Sequence, residues 1–489
     1  MIDLTIHEEI RKKNIQRCRE KGVILPTFAQ MKDPSLVPEG IRKKLTGTGL
    51  WDLDPVNLFR ITWNNEPNLA GGGFGGPNYI ELPPSLTGVP ARIFALVGKY
   101  FPTGAHKVGA TYGCLAPALV TGSFDSTRQK AVWPSTGNYC RGGAYNSALL
   151  GCDSIAILPE GMSRERFDWL KNVAGEIIAT VGTESNVKEI FDKCHELNAE
   201  RGDDVVIFNQ FDQFGNYLWH YEVTASAIKQ MISAEGINPE HVSGYVTATG
   251  SAGTIGAADS LKKIYPNLRA AAGEAIQCPT LLRNGFGDHR IEGIGDKHVP
   301  WVHNVRNTDM VVAVDDNDCM DLVRLFNQDL GKQYLMDQGV PAETVDVLHY
   351  MGISGAGNLL GAVKMAKYYE MDEHDVIITV LTDSMDMYTS RLEEMNSTRG
   401  EYRREDAAAA FHRSILGQGA DHALELSYYE KLRIHNLKYY TWVEQQGKTY
   451  EEINAQWYDR TYWTSIQQLT GKIDRLIDAF NAETGLINT

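Results

Sequence analysis

The sequence predicts an α/β protein with a doubly wound parallel sheet between residues 80 and 395, and three observations predict it. Short apolar runs recur along this stretch, each closed by a Gly, Pro or Asn turn. Each run is followed by a longer segment of helical periodicity. The runs are nearly continuous in Val, Ile and Ala rather than alternating, which marks strands covered on both faces by helices.

Taken from the N-terminus, the chain opens on the charged, helix-like MIDLTIHEEIRKKNIQRC, which lacks the apolar stretch of a secretory signal. The tract Gly71-Gly72-Gly73-Phe74-Gly75-Gly76 could offer backbone N–H groups to a phosphate, but no Lys-Ser/Thr pair follows, so it reads as a flexible connector. Strands are predicted at 92–98, 129–134, 154–159, 176–181, 204–209, 244–249, 310–315 and 375–381. The helix after 176–181 is the most legible: Val187, Ile190, Phe191, Cys194 and Leu197 share a face, with Asn186 and Glu189 at capping-box spacing. Residues 396–489 are helically patterned and rich in aromatics, among them Tyr428, Tyr429, Tyr439, Tyr440, Trp442, Trp457, Tyr458, Tyr462 and Trp463. They read as a helical appendage or oligomer contact rather than a ligand cage.

Composition excludes several function classes. With 43% apolar and 22% charged residues over 489 positions, the chain can bury a core and is neither fibrous nor disordered. A net charge of −15 argues against nucleic acid or an anionic membrane as the principal partner. No apolar run reaches membrane-spanning length, and a cytoplasmic protein is expected. Seven cysteines without any Cys-x-x-Cys suggest neither a disulfide framework nor a cysteine zinc site, and no metal is expected.

Four loops at the C-terminal ends of predicted strands carry the chemistry. Lys107, in Pro102-Thr103-Gly104-Ala105-His106-Lys107, opens a helix after strand 92–98 and presents an amine at a cleft. Ser135-Thr136-Gly137-Asn138 follows the next strand, and hydroxyls at a helix N-terminus suit a carboxylate or phosphate while an Asn amide can address a phenolate oxygen. Thr249-Gly250-Ser251-Ala252-Gly253-Thr254 can wrap a phosphate monoester with amides and hydroxyls. Its glycine spacing is not that of a dinucleotide site. Thr382-Asp383-Ser384 ends the last strand with a hydroxyl able to meet a ring nitrogen or simply to make a turn. An amine for a Schiff base, a phosphate cup, a contact to a ring oxygen and a partner for a pyridine nitrogen together point to pyridoxal 5'-phosphate.

These segments, in this order over residues 80–395, resemble the cysteine synthase, cystathionine β-synthase and tryptophan synthase β family, the fold-type II pyridoxal-phosphate enzymes. The resemblance implies two doubly wound α/β domains with the cofactor in the cleft between them. The smaller would lie mainly in 80–245, with the lysine and the Ser-Thr-Gly-Asn loop, and the larger mainly in 246–395, with the phosphate loop and the pyridine-nitrogen serine. Residues 1–80 would pack on the large domain, and 396–489 would form the helical extension. It further implies that Lys107 holds the cofactor as an internal aldimine and that His106, Asn138, Thr249, Gly250, Ser251, Ala252, Gly253, Thr254 and Ser384 surround it. Ser135, Thr136, Gly137, Asn138, Gln210 and Gly293 would bind the substrate.

Departures are informative. Tyr139 replaces a small threonine and should reshape the substrate pocket, and Arg141 reads as an outward arginine near a helix start, with a second substrate anion as the alternative. No acid stands around Thr127-Arg128-Gln129, where the tryptophan synthase β glutamate would be, so tryptophan synthesis is disfavoured. The activity implied is β-elimination or β-replacement on a small L-amino acid of the serine, O-acetylserine or cysteine type, through an aminoacrylate intermediate, in a homodimer. A serine/threonine dehydratase is the alternative within enzymes, and a catalytically idle scaffold subunit the alternative outside them.

Overall fold

A computed structural model describes residues 2–487. Eleven strands, numbered in chain order, form two sheets: β1 Tyr79–Leu82, β2 Arg92–Val97, β3 Lys130–Pro134, β4 Ser154–Pro159, β5 Glu176–Thr180, β6 Val205–Ile207, β7 Val242–Ala248, β8 Arg269–Ala275, β9 Met310–Val314, β10 Val376–Leu381 and β11 Ala423–Glu425. The larger sheet has the order β1-β2-β10-β7-β8-β9-β11, and the smaller β5-β4-β3-β6. β2, β10, β7, β8 and β9 run parallel, as do all four strands of the smaller sheet, while β1 and β11 add antiparallel edges. β2 precedes the smaller sheet in sequence yet pairs with β10 of the larger one. The helix that follows it, Lys107–Thr121, packs on helix Asn138–Leu149 beside the smaller sheet. Lys107 therefore starts at the junction of the two sheets.

All eight predicted strands are present, and three were missed. β8 is RAAAGEA, whose alanines favour helix locally and extend only because helices cover both faces of the sheet. β1 and β11 are short edges carrying little pattern of their own. The helix Val187–Arg201 buries the expected Val187, Ile190, Phe191, Cys194 and Leu197. Its expected capping box does not form: Asn186 Oδ1 accepts from the preceding Thr183 N (3.0 Å), while Asn186 Nδ2 donates to Glu189 Oε1 (3.2 Å).

Two expectations about the flanks are corrected. The glycine tract is no loose connector, since the buried Arg60 donates to the carbonyls of Gly72 (2.7 Å) and Leu45 (2.5 Å), and Asn65 bridges Phe74. The C-terminal region is part of the body. Asn481 pairs with the Leu25 backbone through both amide atoms (2.9 and 2.7 Å), and the side chain of Arg11, in the N-terminal helix Glu8–Lys21, joins Glu483 to the Val120 carbonyl. Trp442 is fully buried, donates from Nε1 to Val299 O (2.8 Å) and packs against Trp301 and His298. All seven cysteines are buried and free, and among the described residues no helix is long and apolar enough to cross a membrane.

Truncating a fully buried tryptophan removes a large apolar surface and leaves a cavity. Trp442→Ala should therefore destabilise the whole chain by about 3–5 kcal/mol. Urea unfolding followed by far-UV dichroism checks this; a separate early transition of the tail alone would show that it is an independent appendage.

Candidate active site

The C-terminal ends of β2, β3, β6, β7 and β10 converge on two adjoining small cavities, and Lys107 borders both. One is bounded by Thr247, Gly250, Ser251, Ala252, Thr254 and Thr382. The other is bounded by Ser135, Thr136, Asn138, Tyr139, Glu184, Gln210 and Asp296, with Gly250, Ser251, Gly293 and Thr382 shared between them. Strand ends of an open parallel sheet are where such crevices form, because the connections leave on opposite sides there.

Lys107 Nζ donates to Ser251 Oγ (2.9 Å) and Gln210 Oε1 (3.2 Å), so the amine links a loop of the larger sheet to one that follows the smaller. Burial lowers its pKa to about 8, against the opposing pull of Asp296 and Glu184. A good part of the amine is thus neutral near physiological pH. Ser251 Oγ also accepts from Asn216 Nδ2 (3.0 Å), which reaches the Gln210 carbonyl as well (2.9 Å). Gly253 is obligatory here, since a Cβ would stand 2.0 Å from Asn216 Oδ1. Ala252 adopts a left-handed φ of 57°, a strained conformation costing about 1–3 kcal/mol that is typical of ligand loops and turns backbone N–H groups toward a common point.

On the facing side, Asn138 begins the helix Asn138–Leu149 behind Gly137, whose φ of 151° and contact with the Arg166 guanidinium leave no room for a side chain. Ser135 Oγ accepts from Gly137 N (2.9 Å). Asn138 Nδ2 donates to Asp383 Oδ2 (2.6 Å), which also accepts from Tyr388 OH (2.7 Å). Asn138 Oδ1 and Thr247 Oγ1 are buried without a partner. Arg166, fully buried, pairs with Glu292 and donates to Tyr388 OH (2.8 Å).

Five of the residues singled out from sequence stand away from the cavities. His106 is buried against Trp63 and His220, and burial holds its imidazole well below its usual pKa, so it is neutral packing beneath the lysine. Thr249 turns its hydroxyl to Gly273 O (3.1 Å) and fastens β7 to β8. Gly137 and Gly253 shape their turns without lining the space. Ser384 lies buried where the chain turns into the short 3-10 segment Met385–Met387, and Thr382 is the hydroxyl of that segment that borders both cavities.

Arg141 is not outward: it is fully buried between Trp51 and Trp169, with Nη1 on Met387 Sδ (2.6 Å) and with Nε and Nη2 unpartnered. Sequence reasoning missed Glu184 and Asp296. Asp296 lies three residues after the singled-out Gly293, a usable signal, but Glu184 sits in a featureless turn after β5. Among the described residues no group of His, Cys, Asp and Glu could hold a metal ion.

The residues present fit pyridoxal phosphate: an amine whose pKa burial lowers, a glycine-rich loop with a strained Ala252, and unpartnered buried Asn138 and Thr247 oxygens border two adjoining cavities. A family model described as pyridoxal-phosphate dependent enzyme matches residues 73–332. The chain is 27% identical to a cysteine synthase of Staphylococcus aureus over 260 residues, covering 53% of this chain and 75% of that protein. It is 32% identical to a cysteine synthase of a Flavobacterium species over 226 residues, covering 46% and 70%. The solved cysteine synthase of Entamoeba histolytica superposes with a TM-score of 0.56 at 19% identity, covering 69% of this chain and 93% of that one, a likeness of fold.

A folded-state lysine pKa near 8 means the amine becomes nucleophilic well below the range of exposed lysines. In cofactor-free protein, competitive acylation read by peptide mass spectrometry should give Lys107 a reactivity midpoint near pH 8. A midpoint above 10, like that of ordinary lysines, would contradict the depressed value.

Proposed function

The chain belongs to the pyridoxal-phosphate dependent enzymes, and on that premise we propose that it catalyses β-elimination or β-replacement on a small L-amino acid of the serine, O-acetylserine or cysteine type, in the manner of a cysteine synthase. One observation carries this reading: Lys107 Nζ lies between Ser251 Oγ and Gln210 Oε1, facing the cavity that the Ser135–Asn138 turn closes from the other sheet. The likeness to cysteine synthases of Staphylococcus aureus and Flavobacterium supports it.

Pyridoxal phosphate supplies an aldehyde that captures amino groups and a ring that accepts the electron pair released at the α-carbon. Lys107 is the residue that would tether it, and its depressed pKa suits the same amine to take the α-proton once displaced. The amides of Gly250 to Thr254 would hold the phosphate, the left-handed Ala252 presenting them. Ser135, Thr136 and Gln210 would bind the substrate carboxylate beside the N-terminal end of helix Asn138–Leu149. The hydroxyl toward the ring nitrogen would come from the β10 end, where Thr382 borders the cavities and Ser384 does not. A hydroxyl there, unlike an aspartate, does not keep that nitrogen protonated, which favours rapid loss of a β-substituent. A homodimeric, cytoplasmic enzyme goes with this reading on the family resemblance.

Borohydride reduction of the holoenzyme should fix pyridoxyl phosphate to the Lys107 peptide, and Lys107→Ala should lose both the label and at least about 100-fold in turnover of serine, O-acetylserine or cysteine. Label on another lysine, or turnover surviving in Lys107→Ala, would refute the assignment.

A further inference from the structure

Two carboxylic acids enter the candidate substrate cavity from segments unrelated to the lysine, phosphate or carboxylate loops. Asp296 follows Gly295, and Glu184 lies in the turn between β5 and helix Val187–Arg201. Glu184 is 2% exposed, and its Oε2 is buried with no partner. It borders the inner cavity beside Thr136, and also a second cavity of about 200 Å³ bounded by His289, Arg290, Glu292, Arg391 and Met395. It thus forms part of the wall of both spaces.

We propose that Glu184 donates a proton to the departing β-substituent and recovers one from the incoming nucleophile, so that the site accepts amino acids bearing an unactivated β-hydroxyl. This rests on the β-elimination reading above and narrows its substrate class. A hydroxyl leaves as water only if protonated, whereas an acyl ester or halide departs as a stable anion. The step balances without further reagents. Lys107 Nζ takes the α-proton, and the Cα–H electron pair becomes the second Cα–Cβ bond. The Cβ–O pair stays on oxygen, and the Glu184 Oε2 proton joins it to release water. In the return half, the S–H proton of a thiol passes to Oε2 as sulfur bonds to Cβ, the second Cα–Cβ pair returns to Cα, and the proton held on Lys107 Nζ joins it there.

The surroundings keep this proton in place at neutral pH. Burial raises the Glu184 pKa to about 8; Arg166 and the Thr136 hydroxyl oppose it, and Glu292 and Asp296 reinforce it. Arg166 is engaged by Glu292, and Lys107 also faces Glu184 across the cavity. Asp296, raised to about 7 by burial against the pull of Lys107, is the natural counter-ion of the amine, leaving Glu184 as the acid that holds its proton.

The test compares parent, Glu184→Gln and Glu184→Asp holoenzymes on L-serine against L-cysteine, O-acetyl-L-serine and β-chloro-L-alanine. Glu184→Gln should lose about 100-fold or more in kcat on serine, with a loss at least tenfold smaller on the other three, and Glu184→Asp should restore part of the first. Parent turnover of serine should fall as pH rises through about 8, because the donor must keep its proton, and this limb should be missing with β-chloroalanine. Independently of turnover, infrared difference spectra should show a protonated carboxyl band at neutral pH that titrates near 8 and vanishes in Glu184→Gln. Equal losses on serine and on the other substrates, a parent that handles β-chloroalanine but not serine, or absence of the band would each overturn the proposal. A parent inert toward all four substrates sinks the β-elimination reading instead, and the infrared band still decides whether Glu184 stores a proton.

Discussion

The site exists because a fully buried arginine joins the two sheets across the cleft. Arg166 belongs to the helix Arg164–Leu170 that follows β4, and its guanidinium reaches Glu292 and Tyr388, both presented by the other sheet. Tyr388 passes the connection to Asp383, and Asp383 to Asn138, so a chain of polar contacts runs from one rim of the crevice to the other. Glu292 is shared with Arg391 Nε (2.6 Å), and Glu165 accepts from Ser390 N (2.7 Å) and its Oγ (2.6 Å), extending the same seam. Desolvating an arginine and its acids gains little net stability against an apolar filling, so the network is better understood as fixing geometry. It sets the distance between Ser135–Asn138 on one side and Gly250–Thr254 on the other, which is the quantity a two-sided ligand site must control.

Within that frame, protonation is set by dryness rather than by any one ion pair. Burial pushes Lys107 down to about 8 and pushes Asp296 and Glu184 up to about 7 and 8, bringing an amine and two acids into one narrow range. Groups spread over six units in water then exchange protons at little cost near neutrality, the condition for acid–base work at a single carbon. The neutral His106 beneath the lysine contributes by adding no competing charge.

Much of this was legible in the sequence because it depends on local pattern. The strand ends at 97, 134, 248 and 381 are marked by the change from apolar run to turn; the cavity-lining Ser135, Thr136, Asn138 and Ser251 follow within four residues, and Lys107 follows ten residues after the first. What escaped depends on distant contacts. Arg141 near a helix start looks solvated until Trp51 and Trp169 close over it. Thr249 and Ser384 carry suitable hydroxyls, yet one is claimed by the Gly273 carbonyl and the other is buried outside both cavities. Glu184 has no local signature, since only the packing of the β5 turn against Thr136 gives it a role.

The C-terminal region shows why the chain extends beyond the sheets. The loop 292–303 delivers Gly293 and Asp296 to the cavity but contains no regular element of its own. The tail supplies its far support: Trp442 binds the Val299 carbonyl, and the buried Lys438 donates to the carbonyls of Trp301 (2.9 Å) and His303 (2.8 Å) as well as to Gln456 Oε1 (2.6 Å). Burial pulls Lys438 well below its usual pKa, and the three acceptors around Nζ are what support its protonated, three-donor form there. A loop whose carbonyls are satisfied from behind can face the cavity with its side chains and remain fixed there. The aromatic helices are thus the rear wall of the site, and the position of Asp296 relative to Lys107 is inherited from their packing.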